Sequence, residues 1–329
     1  MTDQRDEGRA PVAAGSFWRR LTRTFAYLGL RAGSAVARRL PLPALWRLMD
    51  SFMAAALLFA GRRRRMGEAN IAAAFPEFSP AECRAVFRRS ARNAGRTMAE
   101  TLKLPHLRPE EIRDRVPMPS VAPIREALAS GRGVLIVTAH FGQWEWAAIR
   151  LAQELGRPMS VVARRHKHPR ADGIIREARA SHGLAIVDDE DRLAMVRVLK
   201  SGGLLGVLPD QYVVRGAVQV NFMGRPSWST PGPAWLARTT GARVFAGFCI
   251  RHWDGSFEAF LLPELEMVAT DDREADLIEN TQRISAAIEQ AIRRTPDNWL
   301  WLHDRWKPEE QRAARLAKLA RKAAARGAN

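Results

Sequence analysis

The sequence predicts an α/β fold: a mostly parallel central sheet flanked by helices, preceded by an N-terminal helical region. Two observations carry this. From Gly131 onward, short apolar runs of strand length alternate with longer helical patterns, the pattern of βαβ units with parallel strands. Before that point the apolar residues recur at helical spacing, which a sheet cannot use.

Taken in order, residues 1–15 are expected to be disordered. Residues 16–40 place Phe17, Leu21, Phe25, Leu28, Ala32 and Val36 along one helical stripe, with Arg19, Arg20, Arg23, Arg31, Arg38 and Arg39 mostly between them. That is a cationic amphipathic helix, either capping the domain or lying in the plane of a membrane surface. Residues 42–60 predict a second, more apolar helix. Ser79-Pro80-Ala81-Glu82 is a capping box with proline at the first helical position, and opens a helix through about Leu102. Strands are predicted at 134–137, 159–163, 184–187, 204–208, 243–250 and 257–262, and helices at 144–155, 170–182, 192–199 and 273–294. Thr230-Pro231 opens one more helix. After Glu310 the tail carries six basic residues and no acid and reads as a fraying helix. The organisation is therefore 1–15 disordered, 16–110 helical and membrane-associating, 111–307 α/β, and 308–329 a basic tail.

The 329 residues suffice for one large or two medium domains, and 47% hydrophobic with 26% charged residues is ordinary for a globular chain. A collagen-like chain, a wholly disordered chain and a small disulfide scaffold are excluded. Lys+Arg 52 against Asp+Glu 35 leaves a formal charge of +17, which points to a polyanionic partner. No nucleic-acid motif or aromatic-basic platform accompanies the charge, so specific nucleic-acid binding is not expected. Cys83 and Cys249 lie far apart, outside any metal-binding spacing, and read as free thiols of a reducing compartment. Asp3, Asp6 and Glu7 are wrong for the cationic start of a secretory signal. No uninterrupted apolar run reaches the ~18 residues that span a bilayer, because Arg47, Asp50 and the Arg62–Arg65 block bracket the longest. A surface or half-inserted segment stays open.

GxSxG, GxxxxGK[ST], GxGxxG and HExxH are all missing from the sequence, so the usual serine-hydrolase, P-loop, dinucleotide and zincin signatures are absent. Thr138-Ala139-His140-Phe141-Gly142-Gln143-Trp144-Glu145-Trp146 instead follows a buried strand and opens a helix. His140 would sit at the carboxyl end of that strand, where open α/β sheets place ligand sites. Glu145, in the first helical turn, could fold back onto the imidazole, fix its tautomer and let the free nitrogen take a proton from a hydroxyl. A histidine after a strand also serves in packing, and a first-turn glutamate as a complement to the helix dipole. Spacing alone does not choose between these roles.

His140-x4-Glu145, in the setting GRGVLIVTAHFGQWEWAA, resembles the lipid A biosynthesis lauroyl/myristoyl acyltransferase family of the lysophospholipid/glycerol-phosphate acyltransferase superfamily. Further blocks follow in order: Arg65 to Asn70 with Phe75-Pro76, Val162-Ala163-Arg164 with Lys167-His168-Pro169, Arg179-x3-Gly183, Leu208-Pro209-Asp210-Gln211, Phe222-Met223-Gly224, Thr230-Pro231-Gly232, and Trp299-Leu300-Trp301-Leu302-His303-Asp304-Arg305-Trp306. Ala163, Arg165 and His168 depart from the family's Tyr, Pro and Asn. The resemblance covers roughly residues 60–307.

The resemblance implies a glycerol-phosphate acyltransferase-like fold and transfer of a fatty acyl group from an acyl carrier protein thioester to a hydroxyl of a membrane glycolipid, a lipid A precursor. It implies no metal or bound cofactor; the partners are acyl carrier protein, anionic membrane lipid and the glycolipid acceptor. His140, Glu145 and Arg179 are the implied catalytic residues, with Glu145 orienting His140. Arg164, Lys167, Asp210 and Gln211 are implied to bind substrate. Arg164 and Arg179 could also be solvated cations, while Asp210 and Gln211 could position the loop or a basic residue, or form a structural turn. Phe141, Trp144 and Trp146 line an acyl pocket or pack the helix, and His303, Arg305 and Trp306 read as a docking element. The expected location is the cytoplasmic face of the inner membrane, held by residues 16–65. The same motifs suit an acyltransferase on a lysophospholipid or another glycolipid; a non-enzymatic basic binding protein is the remaining alternative.

Overall fold

The computed structural model describes residues 14–165 and 168–327. The disorder expected for 1–15 falls outside these, except that residues 14 and 15 already belong to the first helix. Four helices come first: α1 (Ala14–Arg39), α2 (Leu42–Phe59), α3 (Gly61–Ala74) and α4 (Pro80–Lys103). The capping box of α4 is formed as predicted: Ser79 Oγ accepts the Glu82 N–H at 3.3 Å, and the Glu82 carboxylate accepts the Ser79 N–H at 2.7 Å.

Two short helices, α5 (Pro109–Arg115) and α6 (Ala122–Ala129), lead into β1 (Val134–Val137), α7 (Trp144–Leu155), β2 (Met159–Ala163), α8 (Pro169–Ala180), β3 (Leu184–Asp188), α9 (Arg192–Lys200) and β4 (Leu204–Val207). A hairpin of β5 (Val218–Phe222) and β6 (Arg225–Ser229) follows, then α10 (Gly232–Thr240), β7 (Arg243–Arg251), β8 (Phe257–Leu261), α11 (Arg273–Arg294) and α12 (Glu309–Gly327). The predicted strands and helices are present with shifts of a residue or two at their ends. The hairpin, α5 and α6 were not anticipated, and α3 falls within the region expected to be helical without having been singled out. The hairpin turns at Met223 and Gly224, both at positive φ, the pair of conformations a two-residue turn of the I′ type needs. Alternation in Val218-Gln219-Val220-Asn221-Phe222 before that Met-Gly pair was the available signal.

The main sheet runs in the order β3-β2-β4-β1-β7-β8. The first five strands are parallel and β8 is antiparallel at the edge. Helices cover both faces, so central strands bury side chains on both sides. Leu135 and Val137 of β1 join Phe87, Phe248 and Ile288 in one layer; Val134 and Ile136 join Ile124, Trp146 and Ile149 in the other.

The N-terminal helices are part of this packing. Leu42, Leu45, Trp46 and Leu57 of α2 are buried. Trp46 Nε1 donates to Glu100 of α4 at 2.6 Å, and Arg96 of α4 grips Asp50 of α2 through two hydrogen bonds of 2.9 and 2.5 Å. The opposite side of α2 leaves Leu48, Phe52, Leu58 and Phe59 exposed, as α1 does Phe25, Leu28 and Val36. Although Arg47 and Asp50 interrupt it, α2 has the length and composition of a helix able to cross a bilayer.

Candidate active site

The β1–β4 pairing builds the site. Their parallel register aligns Val134 with Leu204 and Val137 with Val207. Both chains leave the sheet at the same edge, and the Thr138 N–H still donates to the Val207 carbonyl. Three residues beyond these last partners stand His140 and Asp210. His140 Nδ1 lies 2.8 Å from Asp210 Oδ1, and the His140 backbone N–H donates to Asp210 Oδ2 at 3.0 Å. Trp299 Nε1 donates to the same Oδ2 at 2.9 Å.

These contacts fix the chemistry of the pair. A carboxylate beside Nδ1 places the ring proton there and leaves Nε2 as the basic nitrogen. Nε2 faces the cavity beside the Gln211 amide, 3.4 Å away. Burial pushes the imidazole's pKa down, but the charge and hydrogen bond of Asp210, with the charge of Glu145, outweigh burial and leave it above the ordinary histidine value. Burial would raise the carboxyl of Asp210; the charge of His140 and hydrogen bonds from His140 and Trp299 hold it down at about 2.

Two sequence expectations are corrected here. The carboxylate on the imidazole belongs to Asp210, not Glu145. Glu145, buried in the first turn of α7, instead takes Arg179 of α8, whose Nη2 and Nε lie 2.6 and 3.2 Å from Glu145 Oε1. Its Oε2 has no hydrogen-bond partner within the described chain. Asp210 in turn cannot bind substrate: it is 2% exposed and both oxygens are occupied by His140 and Trp299. The physical reason is non-local. A four-residue spacing looks like a contact along the chain, whereas the register of β1 against β4 brings in a carboxylate 70 residues away.

The loop between His140 and Glu145 is clamped from below. Gly142 has φ +53, and a Cβ there would collide with the Cys249 carbonyl, so the position requires glycine. The Gly142 N–H donates to the Asn298 carbonyl at 2.8 Å, its carbonyl accepts from Thr97 Oγ1 at 2.9 Å, and the Gln143 N–H donates to the Cys249 carbonyl. The Gln143 side chain reaches the Glu100 carboxylate, which also pairs with Arg251. Arg251 and Glu100 are both almost fully buried, and Asn93 and Thr97 complete the guanidinium's bonds. Burial pushes the Cys249 thiol up to about 12, so it is no nucleophile at neutral pH.

The segment after the short 3₁₀ turn Pro296–Asn298 closes the other side. The Leu300 N–H donates to the His140 carbonyl at 3.0 Å, and Phe141 bridges Trp299 in antiparallel fashion. His303 Nε2 accepts the Tyr212 N–H at 3.0 Å, and burial lowers its pKa to about 4. Arg305 donates to the Trp228 carbonyl at 2.6 Å, and Trp306 Nε1 to the Phe222 carbonyl, tying down the β5–β6 hairpin. Trp299, Trp301, Arg305 and Trp306 are buried, so this ending is an internal brace and not the docking element expected from sequence. Its only sequence signal was the density of tryptophan.

His140 opens on a cavity of about 820 Å³ along the carboxyl edge of the sheet. Trp144, Glu145, Arg164, Arg179 and Gln211 share its wall with apolar residues such as Ile136, Ala148, Leu151, Val161 and Phe260. Arg164 stands at the rim, highly exposed and paired with Asp189 at 2.8 Å. Lys167 lies outside the described residues. Of the three aromatics near His140, Phe141 and Trp146 are core residues, while Trp144 lines the cavity with its ring edge-on to His140, 5.3 Å between centroids.

The hydrogen-bonded His140–Asp210 pair at the carboxyl edge of a parallel sheet opens on a cavity with both polar and apolar walls, the place where open α/β enzymes bind their ligands. The chain belongs to the bacterial lipid A biosynthesis acyltransferase family, whose sequence model matches residues 15–308. It is 26% identical over 272 residues to the lipid A biosynthesis palmitoleoyltransferase of Escherichia coli, covering 82% of this chain and 87% of that protein. It is 27% identical over the same length to the lipid A biosynthesis lauroyltransferase of Escherichia coli, with the same coverage. A phosphatidylinositol mannoside acyltransferase of Mycolicibacterium smegmatis is 26% identical over 238 residues, 70% of this chain and 76% of that protein. The protein is an acyltransferase.

Proposed function

We propose that the chain transfers a fatty acyl group from an acyl carrier protein thioester to a hydroxyl of a lipid A precursor. The observation that carries this reading is the His140 imidazole, held by Asp210 through Nδ1 and lining the cavity, with only the long 3.4 Å Gln211 contact on Nε2. In the reaction, Nε2 takes the proton of the acceptor hydroxyl as its oxygen attacks the thioester carbonyl. Asp210 stabilises the imidazolium that forms. Collapse of the tetrahedral intermediate breaks the carbon–sulfur bond, and the departing thiolate recovers the proton from His140. Ester and free thiol are the products, and the enzyme returns to its starting state. Trp144 and the apolar wall would hold the acyl chain. Glu145 and Arg179 form a fixed ion pair beside the reacting atoms, and Gln211 and the Arg164 rim face the polar part of a substrate.

Attachment to the cytoplasmic face of the inner membrane is the location this reading takes, supported by the exposed apolar side chains of α1 and α2 and by the basic excess of the N-terminal region. Between residues 1 and 70, 13 arginines stand against five acids, and each basic residue near an anionic leaflet contributes about 1 kcal/mol. The resemblance to a phosphatidylinositol mannoside acyltransferase favours a second reading, the same chemistry on a mannosylated phospholipid.

The deciding experiment incubates membrane-reconstituted protein with acyl carrier protein thioesters of several chain lengths and with both kinds of acceptor, read by mass spectrometry. Acylated lipid A precursor supports the first reading. Acylated mannosylated phospholipid alone replaces it with the second. No acyl transfer to either ends both.

A further inference from the structure

We propose that Trp299 is a positioning residue of the reaction: its indole N–H holds the Asp210 carboxylate in line with His140 Nδ1 and so keeps the ring in one tautomer. The inference rests on the reading of His140 as the base. Asp210 is almost fully buried. Oδ1 accepts from the His140 ring, and Oδ2 accepts from the His140 backbone and from Trp299. Both His140 contacts come from the same residue on the same side. Trp299, from a segment far along the chain, adds a third bond, on Oδ2, that comes from outside His140 and holds the carboxylate plane against rotation about its Cβ–Cγ bond.

The indole is itself immobile. Its ring meets Trp301 edge-on at 4.7 Å between centroids, Phe222 at 5.7 Å and Trp306 at 6.0 Å. Its backbone carbonyl accepts from Ser90 Oγ, and the neighbouring backbone pairs with His140 and Gly142. A donor fixed on three sides and aimed at a buried anion is preorganised, and such hydrogen bonds to charged groups are among the stronger ones in proteins. Packing alone would need only the ring; orientation of Asp210 needs the N–H.

The test separates the two. Trp299→Phe keeps an aromatic ring and loses the donor; replacement of Trp299 by benzothienylalanine keeps the full bicyclic shape and exchanges N–H for sulfur, which covers the case in which the phenylalanine variant fails to fold. The readouts are the ¹⁵N shifts of the His140 ring and steady-state kinetics with an acyl carrier protein thioester. The expected result is a mixture of His140 tautomers in the folded variant, with kcat reduced about 10-fold, the scale of one hydrogen bond to a charged group, and KM unchanged. A folded variant that retains the single Nδ1–H tautomer overturns the proposal, whatever its turnover. Wild-type protein that shows the single tautomer but transfers no acyl group leaves the Trp299 assignment standing and ends the reading of His140 as the base.

Discussion

His140 and Asp210 occupy equivalent positions on neighbouring parallel strands, each three residues past the aligned pair Val137 and Val207, and meet at 2.8 Å. The dyad is thus a product of strand register: both members sit in the loops just past the strand ends, three residues beyond the last aligned pair.

Asp210→Asn should lower turnover by about 10²–10⁴, since the amide no longer selects the productive tautomer. It should also move the pH profile. In the wild type, kcat/KM requires neutral His140, so activity is present above the imidazole pKa and lost as pH falls through it; that pKa lies above the ordinary histidine value. Without the Asp210 charge, burial and the charge of Arg179 are opposed only by the smaller effect of Glu145, so the acidic limb should shift to lower pH. A profile with its limb unmoved in Asp210→Asn would separate the two residues.

His140 and Asp210 should behave as one unit. The double variant His140→Ala, Asp210→Asn should be little slower than His140→Ala alone, because effects of cooperating groups are not additive. Glu145→Gln breaks a different pair, leaving Arg179 without its carboxylate, and its effect should persist as a further loss when combined with Asp210→Asn. Single-turnover rates on the four variants check this pattern.

Arg251→Met should destabilise the fold by about 3–5 kcal/mol, because it strands a buried carboxylate at Glu100. Adding Glu100→Gln to it should recover part of the loss. Denaturant titration followed by tryptophan fluorescence measures both. The single variant should also lose activity below its unfolding range, since Glu100 holds Gln143 in the catalytic loop.

Membrane attachment should fail when the exposed side of α2 is made polar without touching its buried side. Phe52→Glu with Phe59→Glu removes two exposed aromatic rings, each worth about 1.5–3 kcal/mol when fully buried in an apolar phase. Flotation with anionic vesicles should show release while the circular dichroism spectrum stays native. Deleting residues 1–65 is a poorer test, because it also removes Leu45 and Trp46 from the core.

The sequence by itself determined the secondary structure of the α/β region from residues 134 to 294 apart from the 218–229 hairpin, because strand and helix periodicity and capping are local properties. It also determined His140 as the base candidate, through the strand-to-helix transition that places a residue at a sheet edge. The capping box at Ser79 was legible for the same reason, whereas which of Phe141, Trp144 and Trp146 face the core and which the cavity was not. The tertiary structure alone decided which carboxylate serves His140, that Arg179 belongs to Glu145, and that the Trp299–Trp306 ending is an internal brace. Each depends on strand order and on segments 34 to 89 residues apart coming together, and hydrophobic periodicity carries no information about which strand lies beside which. The N-terminal helices show the same division: their amphipathic pattern was visible, but only packing revealed that α2 spends one face on the core, through Trp46 and Asp50, and offers the other to the outside.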